Sequence, residues 1–182
     1  MFFQNGKLSV RQLAYEDRFV LAKWLSDPSV LEFYEGRDRP HDVYKVIQKF
    51  FKKENETVGC IVEYDGIDIG YIQFYKLDVE AKHAYGYRDE TVFGMDQFLG
   101  EARYRDRGIG TDLVAGMLEY LVNDKQAQVI IMDPQTWNKR AIRCYEKCGF
   151  KKVKVLAEHE WHEGKYRDCW LIEFRPDKEE VS

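Results

Sequence analysis

The chain has 182 residues, 45% hydrophobic, 15% aromatic and 33% charged, which suits a folded domain with a real core and excludes a disordered or fibrous protein. A formal net charge of −4 on scattered basic residues argues against a nucleic-acid partner, which would meet a concentrated basic face. No apolar run approaches the ~20 residues of a membrane span. Met1–Lys7 lacks the basic and apolar regions of a secretory signal, and the four cysteines have no disulfide-framework spacing, so a cytoplasmic protein with reduced thiols is expected.

Leu8–Gln12 has the composition of a short strand. Glu16–Ser26 follows as a helix with Val20, Leu21, Trp24 and Leu25 on one face. Asp27-Pro28 is expected to close it, because the residue before a proline is pushed out of helical geometry. Val43–Phe51 carries a second helical face in Val43, Val46, Ile47 and Phe50. The period then changes to two: Val58–Tyr64 and Ile67–Tyr75 flank Asp65-Gly66, a hairpin signal. Thr91–Leu99 is a further strand.

Ile109–Asn123 is an amphipathic helix, Gln128–Met132 a short buried strand, and Asn138–Cys148 a helix that Gly149 can end in a left-handed cap. Phe150–Leu156 and Asp168–Arg175 complete the pattern as strands. No linker or repeat divides the sequence, so one domain over residues 1–182 is expected. The order of elements predicts an α/β (α+β) fold, a mixed sheet with helices packed on it.

Two local features carry chemistry. Arg105-Asp106-Arg107-Gly108-Ile109-Gly110-Thr111 lies between a strand and a helix. Without Cβ atoms, Gly108 and Gly110 let the backbone approach a ligand, and the helix start offers unpaired N–H groups to a pyrophosphate. Taken alone, Gly-x-Gly before a helix is also an ordinary connection; it is neither a Walker loop nor a three-glycine dinucleotide fingerprint. The second feature is Asn138-Lys139-Arg140-Ala141-Ile142-Arg143-Cys144-Tyr145-Glu146-Lys147-Cys148-Gly149-Phe150.

Together these resemble the acetyl-CoA pyrophosphate loop and the Asn-x-x-Ala-x-x-x-Tyr-x-x-x-Gly-Phe segment of GNAT acetyltransferases, in the right order. Six further stretches are similar to aminoglycoside 6'-N-acetyltransferases, including the acetyltransferase half of a bifunctional acetyltransferase–phosphotransferase. They are Trp24–Asp27, Val30–Asp38, Ile69–Tyr75, Gly94–Phe98, Asp133-Pro134 and Glu158–Lys165. Val79–Asp89 departs from that family, and no phosphotransferase half is expected after Asp177–Glu180.

The resemblance implies a GNAT-like mixed, largely antiparallel central sheet with helices packed on both faces, and acetyl-CoA as cofactor. Arg105, Asp106, Arg107, Gly108, Ile109, Gly110, Thr111 and Asn138 would hold it, with the backbone of Gln97, Phe98 and Leu99 along the pantetheine. Tyr145 would protonate the departing thiolate and Asp96 would act as base. Asp96, Asp133 and Asp168 would bind the ammonium groups of an aminoglycoside, with Tyr34 and Tyr71 lining the cleft.

Competing readings stand beside these. Tyr145 is also a helix-face residue with a satisfied hydroxyl, Asn138 a helix cap, and Asp133 a turn former before proline. Glu158, Glu160 and Glu163 add local acidity for a cationic substrate, although a solvated charged turn suits most of them. His159, His162 and Cys169 fit no standard zinc spacing, so no metal is expected. Cys144 and Cys148 suit core packing. At the level of function, another amine acceptor (a polyamine, an amino sugar or a protein N-terminus) or a non-catalytic acyl-CoA sensor remains open, and the chain is expected as a monomer or homodimer.

Overall fold

The computed structural model describes residues 1–177, so the last five residues of the expected domain lie outside the described part. Strand β1 (Phe3–Asn5) turns at Gly6 into β2 (Leu8–Gln12). A 3₁₀ turn leads into α1 (Arg18–Trp24), followed by α2 (Pro28–Leu31) and α3 (Val43–Val46), which widens into a π turn over Ile47–Phe51. β3 (Val58–Tyr64), β4 (Ile67–Lys76), α4 (Val79–Tyr85) and β5 (Val92–Leu99) come next. The chain continues with α5 (Ile109–Asn123), β6 (Val129–Met132), α6 (Lys139–Lys147), β7 (Lys151–His162) and β8 (Lys165–Phe174).

The eight strands of the described residues form one sheet in the order β1-β2-β3-β4-β5-β6-β8-β7, antiparallel throughout except for β5 beside β6. Period-two alternation sends neighbouring side chains to opposite faces. Cys60, Val62, Ile72, Phe74 and Met95 therefore pack under Leu113, Met117 and Leu121 of α5. Ile61 and Tyr71, their neighbours in sequence, meet Leu21, Trp24, Leu25, Val46 and Phe50 on the other face. Each such aliphatic side chain contributes about 1.5–3 kcal/mol on burial, which is what holds helices to both faces.

Several sequence expectations change. Asp27 does not simply end a helix: α1 stops at Trp24, and the Asp27 carboxylate accepts the Ser29 N–H at 2.9 Å to cap α2, with Pro28 in the first turn. Helix α4 lies in the stretch that had no assignment, with Asp78 accepting the Ala81 N–H at 2.8 Å. The final hairpin is much longer than its two predicted pieces. Its turn is confined to Glu163-Gly164, both at positive φ. Glu158 sits in an irregularity between Leu156 and Glu160 at φ +47, and Asp168 Oδ1 accepts its N–H at 2.9 Å.

One topological detail builds the site. The β5–β6 ladder runs only from Val92↔Val129 to Gly94↔Ile131, whereas β5 stays paired with β4 to its end. From Met95 to Leu99, therefore, no ladder with β6 occupies the second edge of β5.

Candidate active site

Two clefts meet in the gap that opens beyond Gly94. The first, about 550 Å³, lies between the end of β5, the start of α5 and α6. Gln97, Phe98 and Leu99 line it on one side, Gly108, Gly110 and Thr111 at the head of α5, and Asn138 and Tyr145 on α6. Gly108 takes φ +78, a conformation that favours glycine. A Cβ at Gly110 would meet nothing within 4 Å, so its bare backbone leaves room for a ligand rather than for the protein.

The charged residues of the loop divide. Arg105 lines the cleft, but its Nε and Nη2 donate to the Leu99 carbonyl at 3.2 and 3.0 Å and its Nη1 to Ser29 Oγ at 3.1 Å. Asp106 pairs with Arg140. Arg107 and Ile109 do not line the cleft. Arg107 lies over the rings of Tyr64 and Tyr104, and Ile109 is buried in the core. The basic side chains left facing the opening include Arg143 and Lys147 of α6, which the sequence reading passed over. Asn138 caps α6, its Oδ1 accepting the Ala141 N–H at 3.4 Å, and lines the cleft as well.

The second cleft, about 270 Å³, shares Phe33, Tyr34, Gln97 and Tyr145 with the first. Its lining is acidic: Glu35, Asp96, Asp133 and Glu160, with Arg39 as the basic member. Asp96 is fixed from behind by a chain of hydrogen bonds. Gln73 Nε2 donates to Asp96 Oδ2 at 2.9 Å, and Tyr71 Oη donates to Gln73 Oε1 at 2.8 Å. Burial, with Asp133, Glu160 and Glu35 adding like charge, pushes the Asp96 carboxyl up to about 6 against the opposing Gln73 hydrogen bond.

Tyr145 is held as a neutral phenol, its pKa raised by burial first. Its oxygen accepts from Gln97 Nε2 at 3.0 Å. Tyr34 packs on Phe98 with ring centroids 4.7 Å apart and lines both clefts.

Two predicted cleft residues stand elsewhere. Tyr71 is fully buried and lines neither cleft; it supports Gln73. Asp168 is exposed and lines neither, its carboxylate clamping the backbone of Glu158. That clamp holds the irregularity in β7 just before Glu160, which does line the acidic cleft rather than a solvated turn. Asp133 is both at a turn and in the cleft, where His159 Nε2 lies 2.8 Å from its Oδ2 and Tyr85 Oη donates at 3.3 Å. That contact raises the His159 pKa, favouring the imidazolium.

Glu163 reaches across to Arg37, with Oε2 accepting from Nη2 at 2.8 Å. Gln73 and Glu35 were the functional candidates missed. Nothing local distinguishes a strand glutamine or a turn glutamate until the fold brings it to the cleft. Cys148 packs against the core, whereas Cys144 opens on the first cleft, 3.3 Å from Thr111 Oγ1. Among the described residues no group of three His, Cys, Asp or Glu is placed to hold a metal ion, and no helix is long and apolar enough to cross a membrane.

Comparison with known proteins places the chain in a family. The model of the acetyltransferase (GNAT) domain family matches residues 14–157. Aminoglycoside N(6')-acetyltransferase type 1 of Klebsiella pneumoniae is 31% identical over 160 residues, 84% of this chain and 78% of that protein. Among solved structures, AAC(6')-Ib in complex with ribostamycin and coenzyme A superposes with a TM-score of 0.72 at 27% identity, covering 97% of each chain. Spermidine N-acetyltransferase of Vibrio cholerae, in complex with CoA and spermine, has a TM-score of 0.77 at 16% identity over 94% of this chain and 96% of its own. At that identity the likeness is one of fold.

Proposed function

The chain belongs to the GNAT acetyltransferase family as an acetyl-CoA-dependent N-acetyltransferase, and from that premise we propose that it acetylates an aminoglycoside. The acceptor in this reading is the 6'-amino group, attacking directly in a ternary complex. The observation that carries it is the acid-lined cleft opening onto the cofactor cleft at Gln97 and Tyr145. A polycationic sugar needs several separated carboxylates, and Asp96, Asp133, Glu35 and Glu160 supply them at one end of the sheet. Two relatives that are 31% identical over 84% of the chain carry aminoglycoside acetyltransferase names.

Acetyl-CoA contributes an acetyl group activated as a thioester. The N–H groups at the head of α5 hold its diphosphate, and the Gln97–Leu99 edge, which has no ladder with β6 and whose Leu99 carbonyl is held by Arg105, runs along its pantetheine. Asp96 takes a proton from the substrate ammonium, directly or through a water, so that the nitrogen can form its bond to the carbonyl carbon. As the carbon–sulfur bond breaks, Tyr145 gives its phenol proton to the sulfur, and the second proton shed by the new amide nitrogen returns, directly or through a water, to the phenolate. A backbone N–H near Phe98 stabilises the developing oxyanion. Tyr34 forms a wall of the sugar cleft, and Asp168 acts at one remove by shaping the strand that carries Glu160.

The direct test is to follow release of free thiol from acetyl-CoA with kanamycin and, separately, with spermidine. Kanamycin-dependent release supports the assignment. Release with spermidine alone would move the acceptor to the polyamines, and cofactor binding without turnover on any amine would remove the assignment.

The Asp96 environment also sets a pH dependence. The base must be ionised, so kcat/KM is expected to rise as pH increases through about 6 and then level off. In Gln73→Leu the carboxylate loses a hydrogen bond that favours its charged form, so this acid limb should move to higher pH. A limb that stays in place would detach Gln73 from the titrating group.

A further inference from the structure

The side chain of Gln97 stands where the two clefts join, and its two ends are used unequally. Nε2 donates to Tyr145 Oη at 3.0 Å and approaches Met132 Sδ at 3.5 Å. Oε1 is buried and has no hydrogen-bond partner. The thioether sulfur can only accept, which sets the orientation of the amide: the nitrogen belongs on the side of Met132 and Tyr145. Two consequences follow. A phenol oxygen that already accepts from Gln97 keeps its own hydrogen for another acceptor. A buried carbonyl oxygen without a donor, on a side chain that lines both clefts, is left to accept an N–H brought by what fills them.

We propose that Gln97 is a positioning residue, holding the Tyr145 hydroxyl with Nε2 so that its proton points into the junction, while Oε1 accepts an N–H of the bound substrates. This rests on the reading of Tyr145 as the general acid. The N–H is either an amide of the pantetheine arm or that of the amine acceptor. The two sources share one chemistry and separate by experiment.

The variant Gln97→Met keeps the length and volume of the side chain and removes both polar ends. Its kcat should fall about tenfold, the scale of one hydrogen bond lost from a transition state. Gln97→Ala, which asks nothing of the packing, serves as a second variant should the methionine fold poorly. In a double-mutant cycle on kcat, Gln97→Met should cost nothing further once Tyr145 is phenylalanine, because the amide then has no hydroxyl to orient and the loss through Oε1 is read in binding.

Calorimetry of coenzyme A binding supplies a readout independent of turnover. Several-fold weaker binding in Gln97→Met places the donor on pantetheine, whereas unchanged coenzyme A binding with a raised KM for kanamycin places it on the amine. Unchanged values for both would overturn the role of Oε1. Additive losses in the cycle, with Tyr145→Phe itself slow, would overturn the link to Tyr145 and leave the general acid standing. A parental rate in Tyr145→Phe would remove the general acid, and this positioning role with it.

Discussion

Asp96→Asn is expected to lower kcat with kanamycin by about 10²–10⁴-fold, the usual contribution of a positioned general base, with coenzyme A affinity unchanged. The substitution is nearly isosteric, and the asparagine carbonyl can still accept from Gln73 Nε2, which now sits 2.9 Å from Asp96 Oδ2. The sheet register around Met95 and Gln97 has no reason to shift. What disappears is a carboxylate whose pKa near 6 suits it to be ionised at neutral pH and still to accept a proton from an ammonium. The acid limb of the pH–rate profile should vanish together with the rate. Parental turnover in this variant would exclude Asp96 as base and transfer the role to another acid of the cleft, with Glu160 the first to test. Weakened coenzyme A binding would instead show that the change had disturbed β5.

The largest effect on stability is expected at Trp24. Its side chain is 1% exposed, meets Phe98 edge-on with centroids 6.1 Å apart, and donates from Nε1 to Glu101 Oε1 at 3.0 Å. The indole also lies flat against Gly100, where a Cβ would come within 2.3 Å of the ring. Trp24→Ala would leave a cavity on the face that α1 covers, at a cost of about 3–5 kcal/mol. Against a total stability of about 5–15 kcal/mol, the melting temperature should fall by about 10 °C for a chain of this length. Phe98 lines the cofactor cleft and packs on Tyr34, so coenzyme A should bind more weakly as well. Thermal denaturation and calorimetry measure the two. A loss below about 1 kcal/mol would contradict the packing described for this layer.

Together the two substitutions separate the layers of the molecule. Asp96 contributes through one proton on a rigid strand. Trp24 contributes through the helices that press the N-terminal third onto the sheet and so shape the wall formed by Tyr34 and Phe98. Loss of Asp96 should leave the melting temperature nearly unchanged, whereas loss of Trp24 should lower both the melting temperature and cofactor affinity.

What the sequence by itself determined is whatever depends on neighbours along the chain. Helix Ile109–Asn123 appears at its predicted bounds because its 3.6-residue apolar period and the glycine before it are local facts. The Asp65-Gly66 turn appears because both residues accept positive φ. The loop before α5 and the Asn138–Phe150 segment were recognisable because a backbone that must face a ligand restricts side chains in a short, ordered run. The tertiary structure decided the rest. β1, the full length of the β7–β8 hairpin and the free edge of β5 beyond Gly94 all depend on which strands lie side by side. For the same reason Gln73, Glu35 and Glu160 became cleft residues, whereas Tyr71 and Asp168 turned to support the cleft and Arg107 turned to the rings of Tyr64 and Tyr104. Residue type sets which chemistry a position can perform. Whether it faces the substrate is settled by long-range register, where a shift of one residue turns a strand's side chains to the opposite face.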